Sequence, residues 1–177
     1  RNYETAFQMQ AAVPEVCAID GETAATRALY GLDDPEPTKA AYARQCLLAR
    51  RLVERGVRFV ELSCITKNIG AGGAANPWDQ HGDLKLRHTE NARITDQPVA
   101  ALVKDLKQRG LLDDTLVVCS TEFGRQPFTQ GPTGRDHNGG TSVAWLAGAG
   151  VKGGVAHGAS DEWSWRAAEG RTTGYDL

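Results

Sequence analysis

Arg109-Gly-Leu-Leu-Asp-Asp-Thr-Leu-Val-Val-Cys-Ser120-Thr-Glu-Phe-Gly-Arg125 is the stretch from which the fold class is read. Gly110 closes a helix, Asp113-Asp114 makes a turn, and Thr115 to Cys119 is a nearly all-apolar strand of the kind covered on both faces. It runs out into a loop holding Glu122, Gly124 and Arg125, and such a strand end is where an α/β protein keeps its chemistry. Upstream, Leu84 to Arg109 reads as a helix with Val99, Leu102, Val103 and Leu106 on one face and Lys104, Asp105 and Lys107 on the other. Pro98 starts its second half or kinks it.

Before that helix, Val57 to Ser63 alternates apolar and polar as a strand does. A further helix, Lys39 to Arg55, is marked by Thr38 as N-cap, by Tyr42, Cys46, Ala49 and Val53 at helical spacing, and by Gly56 at its end. Ser142 to Ala147 reads as a third strand. Alternation of helix and strand predicts a doubly wound sheet with right-handed crossovers. Residues 1–37 form a peripheral helical arm, with an amphipathic stretch from Tyr3 to Val16 cut at Pro14 and the connector Asp33-Asp-Pro-Glu-Pro37. Residues 38–147 are the α/β core, and 148–177 a loop-rich tail with Trp163 and Trp165.

The 177 residues fit a single domain, and a net charge of -2 with a pI near 6.1 gives no field for nucleic acid. No apolar stretch approaches the roughly 20 residues that span a bilayer. Cys17, Cys46, Cys64 and Cys119 lack paired spacing; Cys46 and Cys119, in apolar runs, read as small core residues. A polar start without Met and an abrupt stop at Leu177 suggest an excised piece of a longer protein.

Three polar clusters are candidates for the site. Asp79 and His81, two apart in an extended segment, point to one side as ligands of one ion, or else Asp83 or His81 caps the following helix. Glu122 either serves a metal or pairs with Arg125 or Arg135. Asp136 and His137, flanked by glycines that let the loop aim both side chains, read as functional. Together they supply two imidazoles and three carboxylates, a mixed nitrogen and oxygen set suited to a divalent ion, Zn or Mn ahead of Ca or Mg. Arg125 and Arg135 are then the clamps for an anionic group. His88 reads as a solvated surface residue, and His157 as an outlying candidate.

The runs Cys46 to Val60, Trp78-Asp-Gln-His81, Arg109 to Val118, Glu122-Phe-Gly-Arg125 and Gly134-Arg-Asp-His137 resemble the DUF1501 proteins, a bacterial family of unknown function, over nearly the whole chain. That family is similar in turn to the sulfatase and alkaline phosphatase superfamily. The remoter resemblance implies an α/β/α sandwich with a mostly parallel mixed sheet, of which this chain is a C-terminal portion. It also implies a divalent centre held by Asp79, His81, Glu122, Asp136 and His137, with Phe123 standing where the superfamily has a histidine. Catalytic roles fall to Arg125 and Arg135, and no segment matches the superfamily's nucleophile. The implied function is a metal-dependent hydrolase of phosphate or sulfate esters acting on an anionic small molecule or glycan. The alternative is a catalytically degenerate scaffold that binds an anionic glycan or a partner protein, or a plain ion-pair network at the same residues. Export from the cytoplasm is expected from the resemblance.

Overall fold

A computed structural model describes residues 2–63 and 77–170. Helix α1, Asn2–Cys17, continues through Pro14 rather than breaking there, with Tyr3 and Phe7 exposed. Helix α2, Ala24–Tyr30, is capped by Thr23, whose side chain accepts from Thr26 N, and closed by Gly31 in the left-handed conformation that favours glycine. Helix α3, Pro37–Glu54, starts two residues before the expected point. The Glu36 carboxylate, not Thr38, accepts the Lys39 N–H, and Pro37 occupies the first turn, where its missing N–H costs nothing. Gly56 and Val57 then donate to Val53 O and Leu52 O, a left-handed glycine closure of the helix.

Helix α4, Leu84–Gln108, runs unbroken past Pro98, which is fully buried. A short 3-10 turn at Leu112–Asp114 leads to strands β1 (Val117–Ser120), β2 (Gly124–Arg125), β3 (His137–Asn138), β4 (Ala144–Ala147), β5 (Ala159–Ser160) and β6 (Ala167–Glu169). Among the described residues these make three two-stranded antiparallel ribbons, β1 with β4, β2 with β3 and β5 with β6.

The expected α/β/α sandwich with a parallel sheet is therefore corrected. A parallel sheet needs two strands joined by a crossover, and α4 would have supplied it between Val57–Ser63 and β1. Residues 57–63 instead carry no strand pairing, and Phe59 is exposed. β1 hydrogen-bonds to β4, Val117 opposite Ala147 and Ser120 opposite Ala144, with no helix between them. Its apolar sequence does not reflect cover on both faces: Val118 is 49 % exposed and Trp145 39 %. Cys119, expected in the core, is exposed, whereas Cys46 is fully buried.

The chain divides into two compact units, Arg1–Thr66 with Ala92–Leu111, and Lys67–Asn91 with Leu112–Leu177. The first has an apolar core of Tyr30, Tyr42, Ala43, Cys46, Leu47, Ala101, Leu102 and Leu106 among others. Arg50 lies buried inside it, paired with Glu22 at 2.8 Å, Glu54 at 2.6 Å and Asp105 at 3.0 Å. Asp105 also accepts from Tyr30 Oη and Arg109 Nε, so the buried charges are matched.

The second unit is assembled differently. Its buried side chains among the described residues include Gln80, Asn91 and Asn138, amides that hold backbone segments together. Gln80 Nε2 and Asn91 Nδ2 both donate to Pro77 O. Asn138 Nδ2 donates to Trp165 O at 3.0 Å and to Thr141 Oγ1 at 3.1 Å, while its Oδ1 accepts from Gly140 N.

A candidate Asp/His/His metal centre

The segment Trp78-Asp-Gln-His81 turns around Asp79, with Gln80 N bonded to Trp78 O, and the buried Gln80 separates Asp79 and His81, which are only partly buried. The segment is then sewn to the 133–135 loop. Arg135 N donates to Gln80 O, and Thr133 receives the N–H groups of Asp83 and Leu84 on its hydroxyl and carbonyl. Thr133 thus caps α4 from a distant part of the chain, the role expected of Asp83 or His81. Gly134 makes this approach possible: a Cβ there would lie under 3.0 Å from both carbonyl atoms of His81 and 2.9 Å from Gly82 N.

His137 arrives on β3, directly opposite Arg125 on β2. The hairpin stays tight because Gly124 has no side chain; a Cβ would meet Thr141 O at 2.5 Å. Asp79 Oδ1 is the meeting point. It accepts from Arg125 Nη2 at 2.5 Å and lies 2.8 Å from His137 Nε2 and 3.0 Å from His81 Nε2. The Phe123 ring lies against His137 at 4.3 Å between centroids, and the two imidazoles are 4.9 Å apart. Partial burial pushes the Asp79 carboxyl up, but hydrogen bonds from Arg125 and His137 and the nearby Arg125 and His81 charges outweigh it and hold it below the usual range.

His81 Nδ1 lies 2.6 Å from Gln130 Oε1, an acceptor only. On its other side, His81 Nε2 lies 3.0 Å from Asp79 Oδ1. One ligand atom each from Asp79, His81 and His137 falls within 4.8 Å of the others. Around a tetrahedral Zn, ligand atoms sit roughly 3.3 Å apart given arms of about 2.0 Å, so the two separations from Asp79 Oδ1, 2.8 and 3.0 Å, need only a slight opening, and the third stays within 4.8 Å. Metal-bound histidines characteristically donate their second ring N–H to a fixed acceptor, which is what Gln130 provides. The residues fit a divalent ion.

Of the seven residues singled out from sequence, three converge as candidate ligands. Asp136 Oδ1 is turned to its own loop, accepting from His137 N, and lies 3.8 Å from His81 Nδ1. Glu122 is exposed and stands outside the group, with no bond to either arginine. Arg125 is already committed, to Asp79, Trp78 O and Arg135 O, while Arg135 donates one bond, to Gln126 O. His88 is not a solvated residue; its ring meets the Trp78 edge at 5.6 Å, and burial together with the Arg125 charge favours its neutral form. His157 is exposed and lies beside Gly170, away from the cluster. Gln130, which meets His81, and Thr133, which holds Asp83 and Leu84, carried no signal beyond their place in a Gly/Pro-rich loop.

These side chains define a loop-borne Asp/His/His candidate metal centre on antiparallel ribbons. The DUF1501 family of proteins of unknown function matches the chain over residues 1–177, and the chain belongs to that family. No curated protein and no solved structure matches it. Among the described residues no helix is long and apolar enough to cross a membrane.

Proposed function

We propose that this chain carries the metal centre of an exported hydrolase of phosphate or sulfate esters, with Asp79, His81 and His137 holding one divalent ion, Zn or Mn. The observation that carries the reading is the convergence of the three ligand atoms within 4.8 Å, with the second nitrogen of His81 on Gln130. Three protein ligands leave positions for water and substrate, the arrangement of hydrolytic rather than structural zinc. A metal held there would polarise an ester oxygen and acidify a bound water. The chain's own residues do the positioning: Gln130 fixes the His81 tautomer, Arg125 fixes the Asp79 carboxylate, and Phe123 fixes the plane of His137. The ester class rests on the resemblance of Thr115 to Gly124, together with His137 and the Asp79/His81 pair, to metal-binding segments of the sulfatase and alkaline phosphatase superfamily.

Elemental analysis and Zn titration of the purified protein test this. Near-stoichiometric metal is expected in wild type and loss in His137→Ala, together with metal-dependent turnover of an aryl phosphate or aryl sulfate. Wild-type protein without metal, and indifferent to added Zn or Mn, would remove the reading. The Arg125 bond to Asp79 favours a second one, an ion-pair network that only closes this face. In that case His137→Ala lowers the melting temperature while metal content stays at zero in both proteins.

A further inference from the structure

Of the two arginines expected to grip an anion, Arg125 is taken up by Asp79, Trp78 O and Arg135 O, while Arg135 gives one N–H to Gln126 O. Beside His137 opens a cavity of about 270 Å³ lined by His137, Asn138, Gly139, Gly140, Trp165 and Arg166. The Arg166 side chain has no hydrogen bond or ion pair among the described residues, although its backbone is firmly placed. Asp161 accepts the N–H groups of both Trp165 and Arg166, Asn138 Nδ2 holds Trp165 O, and Ala167 N bonds to Gly140 O at 2.8 Å. Gly140 permits this approach, since a Cβ would reach 2.6 Å from Trp165 O and 3.3 Å from Arg166 Cγ. Trp165 is itself braced, stacked on Phe128 at 5.3 Å.

We infer that this cavity is the substrate pocket of the proposed centre, with Arg166 as the residue that binds the tetrahedral anionic group and Trp165 as the wall for the organic part. The inference rests on the metal reading for its chemistry, though not for its geometry. An arginine that is anchored by its backbone and unpaired at its guanidinium is a fork of donors awaiting a planar or tetrahedral oxyanion. It lines the same cavity as His137, one of the three proposed ligands, so an anion held there lies beside that residue. The indole gives an apolar surface suited to an aryl or sugar ring.

The full chain is titrated calorimetrically with inorganic phosphate and inorganic sulfate, with and without Zn, for wild type, Arg166→Ala, Arg166→Lys and His137→Ala. Arg166→Ala should weaken anion binding by about tenfold or more, with Arg166→Lys intermediate and Zn content unchanged. Arg166 is exposed and unbonded, so these variants keep the fold, which circular dichroism checks. Equal anion affinity in wild type and Arg166→Ala, or no binding of either anion to wild type, overturns the inference even when Zn binds. Binding that depends on Arg166 in a protein that takes up no metal upholds the pocket and removes the metal reading instead.

Discussion

Gly134→Ala is the sharpest perturbation of the site, because it adds one methyl group where two backbones already touch. The new Cβ would lie under 3.0 Å from the His81 carbonyl and 2.9 Å from Gly82 N, whereas carbon prefers about 3.5 Å or more from its neighbours. The obstacle is backbone, not the end of a flexible side chain, so the His81 segment must move by about 1 Å. That motion breaks the Arg135 N to Gln80 O bond and disturbs the two bonds from Thr133 that cap α4. Overpacking typically costs about 1–3 kcal/mol, and each lost backbone bond about 1 kcal/mol more; a loss of about 3 kcal/mol is expected. Coordination tolerates only about 0.2 Å, so His81 should leave the ligand set and Zn affinity should fall by at least about tenfold.

Competition against a chromophoric chelator reads the affinity, and thermal unfolding reads the stability. Gly131→Ala is the control: its φ of +58° strains an alanine, but nothing lies within 4 Å of the added Cβ. It should cost about 1 kcal/mol and leave Zn binding unchanged. Wild-type affinity in Gly134→Ala would refute the claim that this close approach sets the position of His81.

Gln130→Ala should keep the fold, since Gln130 is exposed, yet weaken Zn by about 10- to 100-fold because the His81 tautomer is released; an unchanged affinity would mean that Gln130 does not orient the ring. In the other unit, burial raises the Glu22 carboxyl but the bonds and charges of Arg50 and Arg51 pull it net below its ordinary 4.5. Its stabilisation is therefore complete above about pH 4.5 and is lost as pH falls through the lower folded value. Acid unfolding followed by circular dichroism should show Glu22→Gln less stable at neutral pH and less pH-sensitive below 4.5, and parallel curves for the two proteins would contradict this.

Helices were legible where periodicity and end signals agree. Tyr42, Cys46 and Ala49 are buried on α3 as their spacing requires, and Leu84 and Gly110 bracket α4. The Glu36 cap was hidden between two prolines, where the Thr38 hydroxyl was the more obvious choice. Sheet topology was not legible, because an apolar run marks a strand but does not say which partner it meets or what covers it. Val118 and Trp145 are apolar, paired with neighbouring strands and still exposed. At the site, Asp79 and His81 could be paired by their spacing alone. That His137, rather than Glu122, joins them depends on β2–β3 register and on a glycine contact between segments some fifty residues apart. Arg166 was invisible for the same reason: its place comes from the Asn138 and Asp161 side chains, not from any motif around it.

Arg125 has an evolutionary corollary. One guanidinium joins Trp78 O, the Asp79 carboxylate and the Arg135 carbonyl, three partners fixed by a single planar fork. Lysine has the charge without the fork, and a neutral residue leaves Asp79 facing a gap, so neither position can drift while the other stays. Descendants of this chain should change Asp79 and Arg125 together or not at all.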